Sequence, residues 1–155
     1  MNLDPLSKES NVKTSIKKYF VDALGEIITF DTSLASPDVR TQGAEAVNQW
    51  YNLSFGEFGR NALATYYFEI YCLSRQDAEG VKLAEMADTL MELLVDNENQ
   101  DGQRRIPLFD VSETPWTQIG SMVVQDIEDV PTIDTVEDET KVKVFSVRLR
   151  WGARI

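Results

Sequence analysis

Between Ala62 and Leu73 the chain alternates with a period of two. Ala64, Tyr66, Phe68, Ile70 and Cys72 fall on one side, and Leu63, Thr65, Tyr67, Glu69 and Tyr71 on the other. Strict alternation predicts a strand, and an even face this apolar has to be buried. The odd face, with Leu63, Tyr67 and Tyr71, is itself too apolar for open water. A strand of this kind belongs in the middle of a sheet, with helices on one face and a second layer or another subunit against the other.

Directly after it, Asp77 to Asp96 reads as one long helix. At about 100° per residue, Leu83, Ala84, Met86, Ala87, Leu90, Met91, Leu93 and Leu94 form a broad apolar arc, and Lys82, Glu85, Asp88, Glu92 and Asp96 face away from it. Ser74 to Asp77 can open the helix as a capping box, or Asp77 can cap it directly. Gly102, beyond the polar run Asn97 to Asp101, helps end the turn that follows. A second helix is expected where Val12, Ile16, Tyr19, Phe20, Ala23 and Leu24 recur at helical spacing, with Ser10 or Asn11 as cap and Gly25 as left-handed stop.

The remaining segments read as extended. Ile27 to Phe30 is a short β-branched run, and Ala46 to Phe55 a strand with aromatic residues on both sides, closed by a hairpin connection between Gly56 and Gly59. Ile106 to Val111 contains Pro107 and so belongs at a sheet edge. Trp116 to Gln125 and Lys141 to Trp151 are further strands, the last burying Phe145, Val147, Leu149 and Trp151. Residues 31–43 and 126–140 read as long exposed loops. The order is α-β-β-β-α-β-β-β, an α+β domain over residues 1–155 with two main helices on a mostly antiparallel sheet.

Composition narrows the chemistry. The chain has no histidine and one cysteine, which removes Ser-His-Asp and Cys-His catalysis, an intrachain disulfide and multi-cysteine zinc sites. Cys72 sits in the apolar strand face, where a thiol acts as a small hydrophobe. No Gly-rich phosphate loop, nucleophile motif or metal-ligand spacing is present, and the acids of 126–140 lack the spacing of a calcium loop. No cofactor and no enzymatic activity are expected. The polar start, Met1 to Ser10, lacks the apolar core of a secretory signal and no run approaches a membrane span, so assembly in the cytoplasm without a membrane is the expectation.

A net charge of −11 opposes binding to nucleic acid over most of the surface. The charge is also unevenly placed. Asp126, Glu128, Asp129, Asp134, Glu137, Asp138 and Glu139 run without a cation, then Lys141, Lys143, Arg148, Arg150 and Arg154 crowd the end of the sequence given. Such polarity suits docking between copies, acid to base; a solvated acidic loop beside a strand with a basic outer face is the alternative. On the long helix, Glu85, Asp88 and Glu92 are like-charge neighbours at i,i+3 or i,i+4, each pair unfavourable by a few tenths of a kcal/mol. A cationic neighbour, either Arg104 and Arg105 or an adjacent copy, would offset this, and a wall that repels DNA would use it. Glu85, Asp88, Glu92, Asp126, Glu128, Asp129, Arg148, Arg150 and Arg154 are therefore the candidate interface or channel residues.

The element order, the strand Trp50-Tyr51-Asn52-Leu53-Ser54-Phe55-Gly56, the long strand running into the Asp77 helix, and the ending Val144-Phe145-Ser146-Val147-Arg148-Leu149-Arg150-Trp151 resemble the tail terminator, or tail completion, proteins of long-tailed bacteriophages and the neck and minor tail proteins of the same fold. The resemblance covers nearly the whole chain and is one of arrangement. It implies a virion protein that forms a ring, typically a hexamer, at the head-proximal end of the tail tube, ends tube polymerisation and joins the tail to the neck. The partners it implies are further copies of the chain, the tail tube protein, neck or connector proteins and the sheath protein, with DNA passing through without specific binding. From length and charge, 31–43 is the candidate for tube contact and 126–140 for contact at the neck. A head-tail connector or stopper is the alternative within virion proteins, and a small acidic ligand-binding module using Tyr66, Tyr67 or the carboxylates is the alternative outside them.

Overall fold

The computed structural model describes residues 3–31, 48–61, 63–95, 104–134 and 140–152. After a single 3-10 turn at Pro5–Ser7 come α1 (Glu9–Leu24), β1 (Ile28–Phe30), β2 (Gln49–Gly59), β3 (Leu63–Arg75), α2 (Val81–Leu94), β4 (Arg105–Asp110), β5 (Thr117–Asp134) and β6 (Thr140–Gly152). This is the expected α-β-β-β-α-β-β-β order. The strands form one sheet, β1-β2-β3-β6-β5-β4, antiparallel except for the β1–β2 pair. β3 is central, as its alternation requires: it pairs with β2 on one side and along its whole length with β6 on the other.

Both helices lie on the face built by the even members of β3. Ala64, Tyr66, Phe68, Ile70 and Cys72 are fully buried there, beside Phe145, Val147, Leu149 and Trp151 of β6 and under Val12, Ile16 and Phe20 of α1 and Leu83, Leu90 and Leu94 of α2. The sheet curls, so that α1 touches both β4 and β1 although these stand at opposite ends of the strand order. A smaller apolar cluster, Trp50, Leu73, Val142 and Val144, sits on the other face; part of the odd side of β3 is thus covered within the chain itself.

Three expectations are corrected. Gly56 and Gly59 do not make the hairpin turn: β2 continues through them, with a bulge between Phe55 and Phe58. The glycines serve close strand approach, since a Cβ on Gly56 would lie 2.7 Å from both the ring and the carbonyl oxygen of Tyr67. Residues 126–134 are not loop but the second half of β5, paired to β6; hydrogen bonding to a strong partner strand outweighs the poor β-propensity of the acids. Residues 135–139, like 32–43 of the first expected loop, lie outside the described residues. The third correction concerns the helix starts. α1 begins at Glu9 with Ser10 and Asn11 inside it, although Gly25 (φ +68°) does stop it. α2 begins at Val81, four residues after Asp77, and ends at Leu94; Asp96 and Gly102 lie outside the described residues.

Asn11 has a different task. On the outer edge of β4 the N–H groups of odd-numbered residues point away from β5. Pro107 has none to offer, Phe109 donates to Ser15 Oγ (2.9 Å), and Val111 donates to Asn11 Oδ1 (3.1 Å). Asn11 Nδ2 in turn donates to the Pro5 carbonyl at 3.0 Å. At the far edge, just past the end of β1, Asp31 Oδ1 accepts the Phe55 N–H at 2.9 Å. Side chains thus occupy donors that an edge strand would otherwise present to another chain.

Asp77 works from outside the helix it starts. Its Oδ2 accepts the Leu83 N–H at 2.8 Å and the Ser74 hydroxyl at 3.0 Å. Burial alone would raise this carboxyl, but hydrogen bonds from Leu83, Ser74 and Lys82, with the charge of Lys141, hold it below its ordinary value of 3.8. Two tyrosines then tether α2 by its backbone: Tyr51 Oη donates to the Met86 carbonyl (3.1 Å) and Tyr19 Oη to that of Leu93 (2.5 Å).

Two measurements check this account. In urea unfolding, Asn11→Ala, at a site only 1% exposed, should cost about 1–3 kcal/mol by stranding a buried donor or acceptor, whereas exposed Ser10→Ala should stay within about 0.5 kcal/mol of wild type; equal effects would restore the capping reading. For Asp77 the folded-state value is depressed, so its contribution is present above the ordinary 3.8 and is lost as pH falls through the lower folded value. The stability advantage of wild type over Asp77→Asn should therefore be constant at neutral pH and vanish in strong acid; a gap that does not change with pH would show the carboxylate charge to be irrelevant.

Candidate functional site

α2 fixes one exposed group of candidate residues. Leu83, Met86, Ala87, Leu90 and Leu94 turn into the core, which leaves Glu85, Asp88 and Glu92 on the solvent side with Val81 and Ala84. The buried arc is narrower than the apolar one, and Ala84 and Met91 are left at its margin. Arg104 does fold back on the helix, but to its backbone: Nε donates to the Glu92 carbonyl at 3.0 Å. A cation at the last turn suits the helix dipole and does not neutralise the side chains. None of the three carboxylates lies within ion-pair distance of a described cation.

Beside this flank, between α2 and the β5–β6 half of the sheet, runs an open groove of about 550 Å³. Its apolar lining comes from Leu83, Ala87 and Met91 on the helix and from Ile127 and Phe145 on the sheet, and its rim from Asp88, Asp129, Lys141 and Lys143. Lys143 pairs with Asp129 at 3.0 Å and lies 5.7 Å from the Phe145 ring centroid. Lys141 Nζ donates to the Ala78 carbonyl at 2.9 Å. Cys72 stands opposite Lys143 in the strand register and is buried; desolvation pushes its thiol up to about 12, so it is protonated and inert near neutrality.

The candidates from the C-terminal half divide between the two faces of the sheet. A bulge between Val124 and Asp126 sets the pleat so that Asp126 and Glu128 point to the outer face, across from Arg148 and Ser146, while Asp129 points to the groove across from Phe145. Arg150 is on the outer face opposite Val123 and Thr65. Arg154 lies outside the described residues. Beside Arg148 on the outer face, the Tyr67 hydroxyl is 3.0 Å from Ser146 Oγ and 3.1 Å from Glu69 Oε1, and Tyr71 donates to Glu69 Oε2 at 2.8 Å. The hydrogen bond to Glu69, with burial, pushes the Tyr71 phenol up to about 12. Tyr67, Asp126, Glu128, Ser146 and Arg148 enclose only a shallow depression of about 230 Å³.

Tyr66 and Tyr67, considered together as ligand-module residues, point to opposite faces. Tyr66 is fully buried edge-on to Phe58, and burial raises its phenol, whose oxygen has no hydrogen-bond partner among the described residues. Among the described residues no group of three or more His, Cys, Asp or Glu is arranged to hold a metal ion, and no described helix is long and apolar enough to cross a membrane. The sequence places the lysines of the groove rim in the basic block at its end but not among the candidate interface or channel residues. Their place in the strand was clear, but that they share a side with Asp88 depends on α2 crossing back over the sheet.

No family model matches the chain, and no curated protein matches it. Among solved structures, one without any functional description superposes with a TM-score of 0.58 over 96% of both chains at 8% identity. At that identity the likeness is one of fold: this chain is similar in its whole architecture to that α+β protein.

Proposed function

We propose that this chain is a structural subunit that assembles into a ring at the head-proximal end of a phage tail tube, ends tube polymerisation and joins the tail to the neck. The observation that carries the reading is the acidic face of α2. Glu85, Asp88 and Glu92 are exposed on one helix, mutually unfavourable, and unneutralised by any described residue, even though Arg104 reaches the same turn. A face of this kind is compensated when a neighbouring subunit supplies the cation.

Four features support it. Side chains occupy N–H groups along the β4 edge and, past the end of β1, one on β2, which favours association through faces over strand addition there. The outer face also carries Asp126 and Glu128 of β5 beside Arg148 and Arg150 of β6, both signs of charge available to another copy. The element order agrees with the tail terminator resemblance, and a net charge of −11 keeps DNA from adhering as it passes.

Light scattering on the size-exclusion peak, with electron microscopy of tubes grown from tail tube protein, tests the proposal. The expected result is a ring in solution or on tube ends and tubes that stop growing once it binds. A protein that stays monomeric at high concentration and leaves tube growth unchanged overturns it.

A further inference from the structure

Lys82 of α2 is within ion-pair distance of none of the α2 acids, and the cations that could pair with them are present on α1, in matching register. Lys13, Lys17, Val21 and Leu24 follow one another at i, i+4, i+8 and i+11 and so form a single stripe along α1. Val81, Ala84, Asp88 and Glu92 form a stripe of the same length on α2, with Glu85 beside it. Each stripe spans about 16 Å at 1.5 Å per residue. Lys17, Val21, Ala84, Asp88 and Glu92 are exposed, Lys13 and Leu24 are half-buried, and Val81 and Val21, at 54% and 43%, are the exposed large apolar side chains of the two helices among the described residues.

We infer that α1 of one copy docks antiparallel along α2 of the next. In that orientation Lys13 meets Glu92, Lys17 meets Asp88, Val21 meets Ala84 and Leu24 covers Val81, so both charged positions and both apolar positions find their complement. The parallel alternative sets the lysines against Val81 and Ala84 and the apolar residues against the acids. The two stripes do not satisfy each other within a subunit. Lys13 and Lys17 rest over the rings of Phe55 (5.1 Å) and Phe30 (5.4 Å), and neither is within ion-pair distance of a described carboxylate. The groove beside Asp88 and Met91 leaves room on that flank for the side chains of the incoming helix.

Because the two surfaces differ, the contact is heterologous: each copy offers one stripe and receives the other, and repetition closes into a ring or runs on as a filament. The inference rests on the ring reading above and names the surface that would build it; it also sends the α2 acids to a neighbour and not to the channel.

The test is a charge exchange read by sedimentation velocity. Lys13→Glu with Lys17→Glu makes both stripes acidic, and Asp88→Lys with Glu92→Lys makes α1 and α2 both basic. Each variant alone should associate about 100-fold more weakly than wild type, and an equimolar mixture should recover association that fades with added salt. As a second measurement, mixing Lys17→Cys with Asp88→Cys should give an intermolecular disulfide in higher yield than either variant alone, Cys72 being buried. Variants that associate like wild type, a mixture that stays dissociated, or no excess of the mixed disulfide overturns the docking. If the exchange behaves as expected while tube growth is unaffected, the docking stands and the tail-tube assignment falls.

Discussion

The donors at the rim of the sheet constrain this molecule more than any other groups. An open six-stranded sheet has two edges, and each outward N–H must find water or a partner. Asn11 and Ser15, one turn apart on the otherwise apolar side of α1, accept the N–H groups of Val111, just past β4, and of Phe109, near its end, and Pro107 has no donor to present. The same helix touches β1 at the other end of the sheet. α1 thereby does more than cover the core: it draws both ends of the sheet toward one element and sets the curl in which Phe20, Phe68 and Phe145 pack.

With part of the rim taken up by side chains and the concave side filled, the surfaces left for function are the back of α2, the groove beside it and the outer face of β5 and β6. All three carry charge near apolar ground: Asp88 beside Met91, Lys143 over Phe145, Arg148 next to Tyr67. That mixture suits recognition of other protein surfaces, where the core of a contact is apolar and charges set orientation.

Much of this was legible from sequence where one periodicity dominates. The even face of β3, the buried residues of β6 and the inward side of α2 follow from spacing alone, since each is decided by burial of a single face. The failures have a common physical origin in partners remote along the chain. Gly56 signals a turn as readily as a bulge, and only the approach of Tyr67 decides. The acids of 126–134 resemble a loop until β6 is known to pair with them. Asn11 resembles a helix cap until Val111, one hundred residues later, supplies the donor it accepts. In the candidate site, Glu85, Asp88 and Glu92 were readable as a single face by helical spacing. Once 126–134 is known to be strand, alternation separates Asp126 and Glu128 from Asp129, but which set faces the groove is decided by the bulge between Val124 and Asp126, which spacing does not encode.

The tethers on α2 grip it through its main chain, with Tyr51 on the Met86 carbonyl and Tyr19 on that of Leu93. A carbonyl is the same whatever side chain the residue bears. The height and direction of the helix above the sheet are therefore partly uncoupled from the identity of its solvent-facing residues. Its outward surface can be rewritten, in charge or in shape, on a mount that stays in place, so that one scaffold can present different docking faces without being refolded for each.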